Sequence, residues 1–173
     1  QLGATHTRNS LAESLYLLRA HEGVTKPVAF YGIATERCNL CCRQCMYWRL
    51  PQYHTDMTVP EWQRALLSIR EFVGSYFINF SGGEPFVRGD FIEILEFCAS
   101  HGIAAGVTTS ASRLPVSLCS RLVAARPLSV SISVDSPEPS LHDYLRGREG
   151  VFESIVATIR TLRLECERTR VHF

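Results

Sequence analysis

The sequence predicts an α/β fold: a partial TIM-like (β/α) barrel of parallel strands that runs to about strand five. Three observations point to it. Strand-like and helix-like stretches alternate from Pro27 onward, which implies a parallel sheet with right-handed crossovers. The stretch Ser129 to Ser136 alternates Val130, Ile132 and Val134 with Ser131, Ser133 and Asp135. A strand covered by helices on both sides is apolar on both, so one polar face suits a sheet whose inner side lines a wet lumen. The most unusual polar stretches all follow strands, and in such folds those strand ends share the face that carries the chemistry.

In chain order, residues 1–9 are polar and expected to fray. Leu11, Leu15 and Leu18 then recur at helical spacing from Ser10 to near Gly23. Residues 1–26 are read as a helical extension and 27–173 as the main domain. Val28 to Thr35 is the first strand. Thr58-Val59-Pro60-Glu61 is a capping box with proline in the first turn, opening a helix with Trp62, Leu66, Ile69 and Val73 on its apolar face. Tyr76 to Ser81 is the second strand, with Asn79 and Ser81 on one face. Asp90 is the expected cap of a second helix that buries Phe91, Ile94, Leu95 and Cys98 and stops at Gly102. Ile103 to Ser110 is strand three. Pro115 starts helix three and Pro127 follows its end. After strand four comes a loop through His142, Asp143 and Arg146, then a helix from Val151 to about Arg168. Arg170 to Phe173 resembles the start of a fifth strand.

The chain has 173 residues, enough to bury on the order of 70 % of its unfolded surface without staples. A net charge of +1 gives no reason to expect nucleic acid or an anionic membrane. No apolar run approaches the ~20 residues of a membrane span, and no secretory signal is visible. Seven cysteines in this pattern are not a disulfide framework, and a reducing cytoplasm suits them. The start at Gln1 and the unfinished fifth strand suggest a piece of a longer parent chain.

Four cysteines fall within CNLCCRQC, Cys38 to Cys45. Two registers are open. Cys38, Cys41, Cys42 and Cys45 make two abutting C-x-x-C pairs, a zinc-like set, although structural zinc pairs normally stand roughly 12–20 residues apart. Cys38, Cys42 and Cys45 make C-x-x-x-C-x-x-C. An iron–sulfur cubane usually takes four cysteines, so three leave one iron for an external ligand. Gly82-Gly83, directly after strand two, admit close backbone approach or a tight turn. Cys98, Cys119 and Cys166 sit singly on helical apolar faces and read as small buried hydrophobes.

The stretch Cys38-Asn39-Leu40 to Cys45, together with Ser81-Gly82-Gly83-Glu84-Pro85, resembles the radical S-adenosylmethionine (radical SAM) enzymes. The resemblance covers nearly the whole chain from Pro27. It implies that Cys38, Cys42 and Cys45 hold a [4Fe–4S] cluster. It implies that Gly82 and Gly83 bind the amino group of S-adenosylmethionine, with Glu84 in support. Ser133 and Asp135 fall where the family contacts ribose, and Arg146 where some branches reach the cofactor carboxylate. Tyr47 and Trp48 are candidates to cover the adenine, or to pack the loop. The implied chemistry is reductive cleavage to a 5′-deoxyadenosyl radical that abstracts hydrogen from a substrate, whether a peptide, a cofactor precursor or a metabolite. A flavodoxin- or ferredoxin-like reductant is implied as partner. The sequence departs from the family at Gln44, usually aromatic, at Thr108-Thr109-Ser110, often Thr-Asn-Gly, and at Cys41. The family's usual core has six strands, and the sixth has no counterpart. The alternatives are a non-catalytic iron–sulfur electron carrier, a zinc-binding module, or a degenerate relative.

Overall fold

A computed structural model describes residues 3–4, 7–8, 10–11, 26–51 and 55–169. Four strands form one parallel sheet in sequence order: β1 (Ala29–Thr35), β2 (Phe77–Gly82), β3 (Ala104–Thr109) and β4 (Ser129–Ile132). Five helices connect and follow them: α1 (Val59–Val73), α2 (Phe91–Ser100), α3 (Val116–Ala124), α4 (Pro139–Arg146) and α5 (Val151–Thr169). Strand then helix, with every strand parallel, is the partial (β/α) barrel that the alternation predicts. Residues 3–4, 7–8 and 10–11 are already helical, ahead of the expected start at Ser10. The rest of the helix expected there, and the strand expected at 170–173, fall on residues outside the described ones.

Alternation decides which side of the sheet is core. Ile78 and Phe80 of β2, Ala105 and Val107 of β3, and Ala34 of β1 are buried under the helices. Phe80 is the hub, with Trp62 of α1 and Phe91 of α2 both edge-on to its ring at 5.3 and 5.6 Å. The other face is polar and small-sided. Tyr31, Asn79, Gly106 and Ser129 stand in one row across the four strands, and Thr108 pairs with Ser131 in the row above. Tyr31 is 82 % exposed there, and Asn79 reaches across to donate to the Thr108 hydroxyl at 3.0 Å.

The helix signals mostly hold. The α1 capping box forms in full: the Glu61 carboxylate accepts from the Thr58 N–H and hydroxyl, both at 2.7 Å. Asp90 precedes α2 but makes no side-chain cap. Its carboxylate is gripped by buried Arg88 at 2.8 and 3.0 Å, which holds it below the usual carboxylate range. Pro115 caps α3 from outside and does not start it.

Two expectations fail near β4. The strand stops at Ile132, four residues short of Ser136, because the chain turns to meet α4. The stretch through His142 and Arg146, expected to be an exposed loop, is the helix α4. Pro139 stands in its first turn and Gly147 closes it with φ 69°. Its buried face carries His142 and Arg146, so hydrophobic periodicity gave no sign of it.

Phe80 tests the core. Phe80→Ala removes a fully buried ring, and the denaturation midpoint should fall by an amount equivalent to about 3–5 kcal/mol, with the slope unchanged.

Candidate active site

The site begins where β1 ends. Thr35 is buried, and the chain leaves the sheet through Glu36 and Arg37 into the cysteine loop. The loop after β2 lies flat against this exit. The Gly83 N–H donates to the Thr35 carbonyl and the Glu84 N–H to the Arg37 carbonyl, both at 2.9 Å. A Cβ on Gly82 would overlap the Thr35 carbonyl oxygen, and one on Gly83 the Arg37 carbonyl oxygen. The glycines thus permit a backbone-to-backbone approach, and the neighbour they admit is the cysteine-bearing loop.

Glu84 is 1 % exposed. Its Oε1 accepts from the Thr109 hydroxyl at 2.6 Å and the Phe86 N–H at 3.2 Å. Its Oε2 accepts from the Ser110 N–H at 2.8 Å and hydroxyl at 2.6 Å. Four donors from the protein surround this carboxylate, which therefore rivets the second loop to the end of β3. Sequence reasoning treated Thr109 and Ser110 only as departures from a pattern. Their signal was available: two hydroxyls at a strand end opposite a buried acid. Just beyond, Ala111 is fully buried with φ 56°, a left-handed conformation unusual for alanine. The Thr109 hydroxyl accepts its N–H at 2.8 Å and helps to hold it there.

The third support is α4. Arg43 donates its backbone N–H to the Leu145 carbonyl at 2.8 Å and its Nε–H to the Tyr144 carbonyl at 3.1 Å. Its guanidinium lies over the Tyr144 ring, 3.8 Å from the centroid. Gly147 sits so close to the Cys41 carbonyl that a side chain would overlap it. Leu40 and Cys42 pack with Val151 and Ile155 in a small separate core. The Trp48 indole N–H donates to the Cys42 carbonyl at 3.0 Å, so its polar edge serves the loop's own backbone.

Arg146 leaves this helix toward the cavity, only 8 % exposed. Its Nη2 donates to the Ser133 carbonyl and to Asp135 Oδ1, both at 3.0 Å, and its Nε lies 2.9 Å from Asp135 Oδ2. Its Nη1 stands 3.8 Å from Cys42 Sγ. Gln44 also donates to Asp135, at 2.7 Å. The fully buried His142 accepts the Asp135 N–H on Nδ1 at 3.2 Å, and burial keeps its imidazole below the usual range.

The nine residues that the resemblance assigns to cluster and cofactor border one cavity of about 310 Å³: Cys38, Cys42 and Cys45 on one side, Gly82, Gly83 and Glu84 on the second, Ser133, Asp135 and Arg146 on the third, while Tyr47 and Trp48 do not line it. Cys41 is exposed and is not part of this wall. Burial pushes the Cys38 thiol up, against a hydrogen bond from the Leu40 N–H. Burial pushes Cys42 up as well, against the hydrogen bond from Arg146. A larger cavity of about 680 Å³ lies at the opposite end of the sheet, at the starts of β3 and β4, away from these groups.

A profile of the Radical SAM superfamily matches residues 33–170, most of the chain and every wall of this cavity. The protein belongs to the radical SAM superfamily. Among its radical SAM relatives, the AdoMet-dependent heme synthase of Nitratidesulfovibrio vulgaris is 30 % identical over 130 residues, 75 % of this chain and 35 % of that protein. The mycofactocin maturase MftC of Mycolicibacterium smegmatis is 25 % identical over 140 residues, 81 % of this chain and 35 % of that protein. The chain thus spans about a third of the length of these relatives. In structure it is similar to SuiB of Streptococcus suis bound to S-adenosylmethionine, with a TM-score of 0.70 at 19 % identity over 94 % of this chain and 36 % of that one. SuiB bound to its precursor peptide SuiA gives a TM-score of 0.64 at 17 % identity, over 96 % and 42 %. At that identity the likeness is one of fold, and it extends the radical SAM assignment to the arrangement of strands and helices described above.

The loop-on-loop contact has its own test. Gly83→Ala should destabilise the protein by about 1–3 kcal/mol in urea denaturation, because backbone cannot yield as a side chain can. Gly89→Ala, on the same loop with nothing within 4 Å of its Cβ position, should change little.

Proposed function

We propose that the protein is a radical SAM enzyme in which Cys38, Cys42 and Cys45 hold a [4Fe–4S] cluster and the adjoining cavity takes S-adenosylmethionine. The observation that carries this reading is the convergence of those three thiols, the Gly82-Gly83-Glu84 edge and the β4 end on one cavity. The donor set fits such a group. Among the described residues, no three His, Cys, Asp or Glu side chains converge closely enough for a single metal ion. Three thiols on one wall of a cavity suit a cluster with one iron left open better than a four-thiolate zinc site, whose fourth cysteine, Cys41, is exposed. The thiols that take the metal would bind it as thiolates, releasing their protons.

When bound, cluster and cofactor together would supply one-electron cleavage of the sulfonium C–S bond, with Cys38, Cys42 and Cys45 holding the cluster. The chain's own residues bind and orient. A methionyl ammonium only donates, so contact to it falls to carbonyl oxygens on this edge, whose Gly83 and Glu84 N–H groups serve the cysteine loop. Glu84 acts as a positioning residue, fixing the edge against β3. Ser133 and Asp135 offer hydroxyl and carboxylate groups at the end of β4 for a ribose. Arg146 supplies the buried positive charge that a cofactor carboxylate requires. An outside flavodoxin- or ferredoxin-like donor would provide the electron. The names of the relatives favour a cofactor precursor or a peptide as substrate. Among the described residues no helix is long and apolar enough to cross a membrane. A reducing cytoplasmic setting would suit the seven free cysteines.

The experiment is anaerobic reconstitution with iron and sulfide, followed by an assay for 5′-deoxyadenosine after addition of dithionite. The expected result for Cys41→Ser is a full complement of iron and undiminished cleavage. Cys42→Ser should lose most of the iron and all of the cleavage. Equal loss in the two variants would support a four-cysteine zinc site instead. A reducible cluster that leaves S-adenosylmethionine intact would indicate an electron carrier.

A further inference from the structure

We propose that Arg146 sets the reduction potential of the cluster through a charged hydrogen bond to Cys42, a reading that rests on the function proposed above. The guanidinium has two working edges. Its Nε–Nη2 edge is held by the Asp135 carboxylate, with Nη2 also on the Ser133 carbonyl. Its Nη1 is turned the other way, 3.8 Å from Cys42 Sγ. The ion pair is therefore an oriented dipole with its positive end at a ligand sulfur and its negative end behind. Little of this field is screened, since Arg146 is nearly buried.

The geometry is fixed from three directions. The side chain springs from the last turn of α4, whose end is bonded to the cysteine loop through Arg43 and Leu145. Asp135 is steadied by Gln44 on its carboxylate and by His142 on its N–H. Contact with a cofactor carboxylate does not by itself explain why the edge of Arg146 left free by Asp135 is turned to the Cys42 thiol. Reduction places one more electron on the cluster, delivered by the outside donor, with no bond made or broken in the protein. A cationic donor to a ligand sulfur stabilises the electron-rich form more than the oxidised one, so the potential rises and a weaker donor suffices.

The test is a potentiometric EPR titration of the full-length protein, reconstituted anaerobically and measured before S-adenosylmethionine is added. Replacing the pair together, Arg146→Met with Asp135→Asn, avoids leaving Asp135 beside the cluster without its cation. This variant should keep its iron and titrate at a more negative midpoint than wild type. Asp135→Asn alone leaves the positive charge unopposed and should move the midpoint in the positive direction. Arg146→Lys keeps the charge but not the fork, and should fall between wild type and the double variant. Opposite signs for the first two variants are the signature of an electrostatic role, because mere damage to the fold would move both the same way. Unchanged midpoints with full iron, or shifts of the same sign, would overturn the proposal. Failure of all three variants to load iron would overturn it in favour of a purely structural arginine. Failure of the wild-type protein to assemble any cluster would instead overturn the function beneath it.

Discussion

Two backbone hydrogen bonds hold this site together: Gly83 to Thr35 and Glu84 to Arg37. They join the loop after β1 to the loop after β2 at a distance that only glycine permits. Everything on the cavity's rim is positioned from that seam. The cysteine loop gains one fixed edge, and Glu84 is delivered into the interior, where hydroxyls from the end of β3 surround it. A buried carboxylate without such partners would cost several kcal/mol, so the same contacts that satisfy Glu84 also lock β3 to the seam.

The opposite edge of the cysteine loop is held by different means. There the contact is with the C-terminal end of α4, through carbonyl groups that a helix leaves without partners of its own. Arg43 uses two of them, and its guanidinium lies over the exposed Tyr144 ring in a cation–π contact. The loop is thus clamped between a strand end and a helix end. Its buried residues, Leu40 and Cys42, pack against α5, while Cys41 is left outside. One of four neighbouring cysteines is separated from the others by the direction of the loop and not by chemistry.

Charge is arranged economically across the cavity. Glu84 is satisfied by hydrogen bonds alone, whereas Asp135 and Arg146 form an ion pair. Arg88, also buried, ties the Ala34 carbonyl at the end of β1 to Asp90 before α2. These groups lie at strand ends, where backbone groups leave the ladder and need partners. The larger cavity at the opposite end of the sheet is bordered mostly by alanine, leucine and isoleucine, with Glu96, Ser100 and Arg126 among them.

The strands, their order and the chemistry-bearing face were legible because each depends on local patterns: period two in β1 to β4, glycines after strands, a capping box at Thr58. The cysteine spacing and the Gly-Gly-Glu-Pro stretch were equally legible, being contiguous in the chain. What α4 does was not. Its inner face is histidine and arginine, and polar residues are read as solvent-facing until a partner is known; the partners, Asp135 and Cys42, lie 7 to 104 positions away. The reach of β4 was overread for the same reason, since Asp135 leaves the strand to meet that helix. The role of the glycines was only half visible: the sequence alone left close approach or a tight turn open at Gly82 and Gly83, and Gly82 does take a positive φ of 116°. Only the tertiary structure decided that the cysteine loop is what approaches there, because a close approach between two segments is a property of both, and neither one encodes its neighbour.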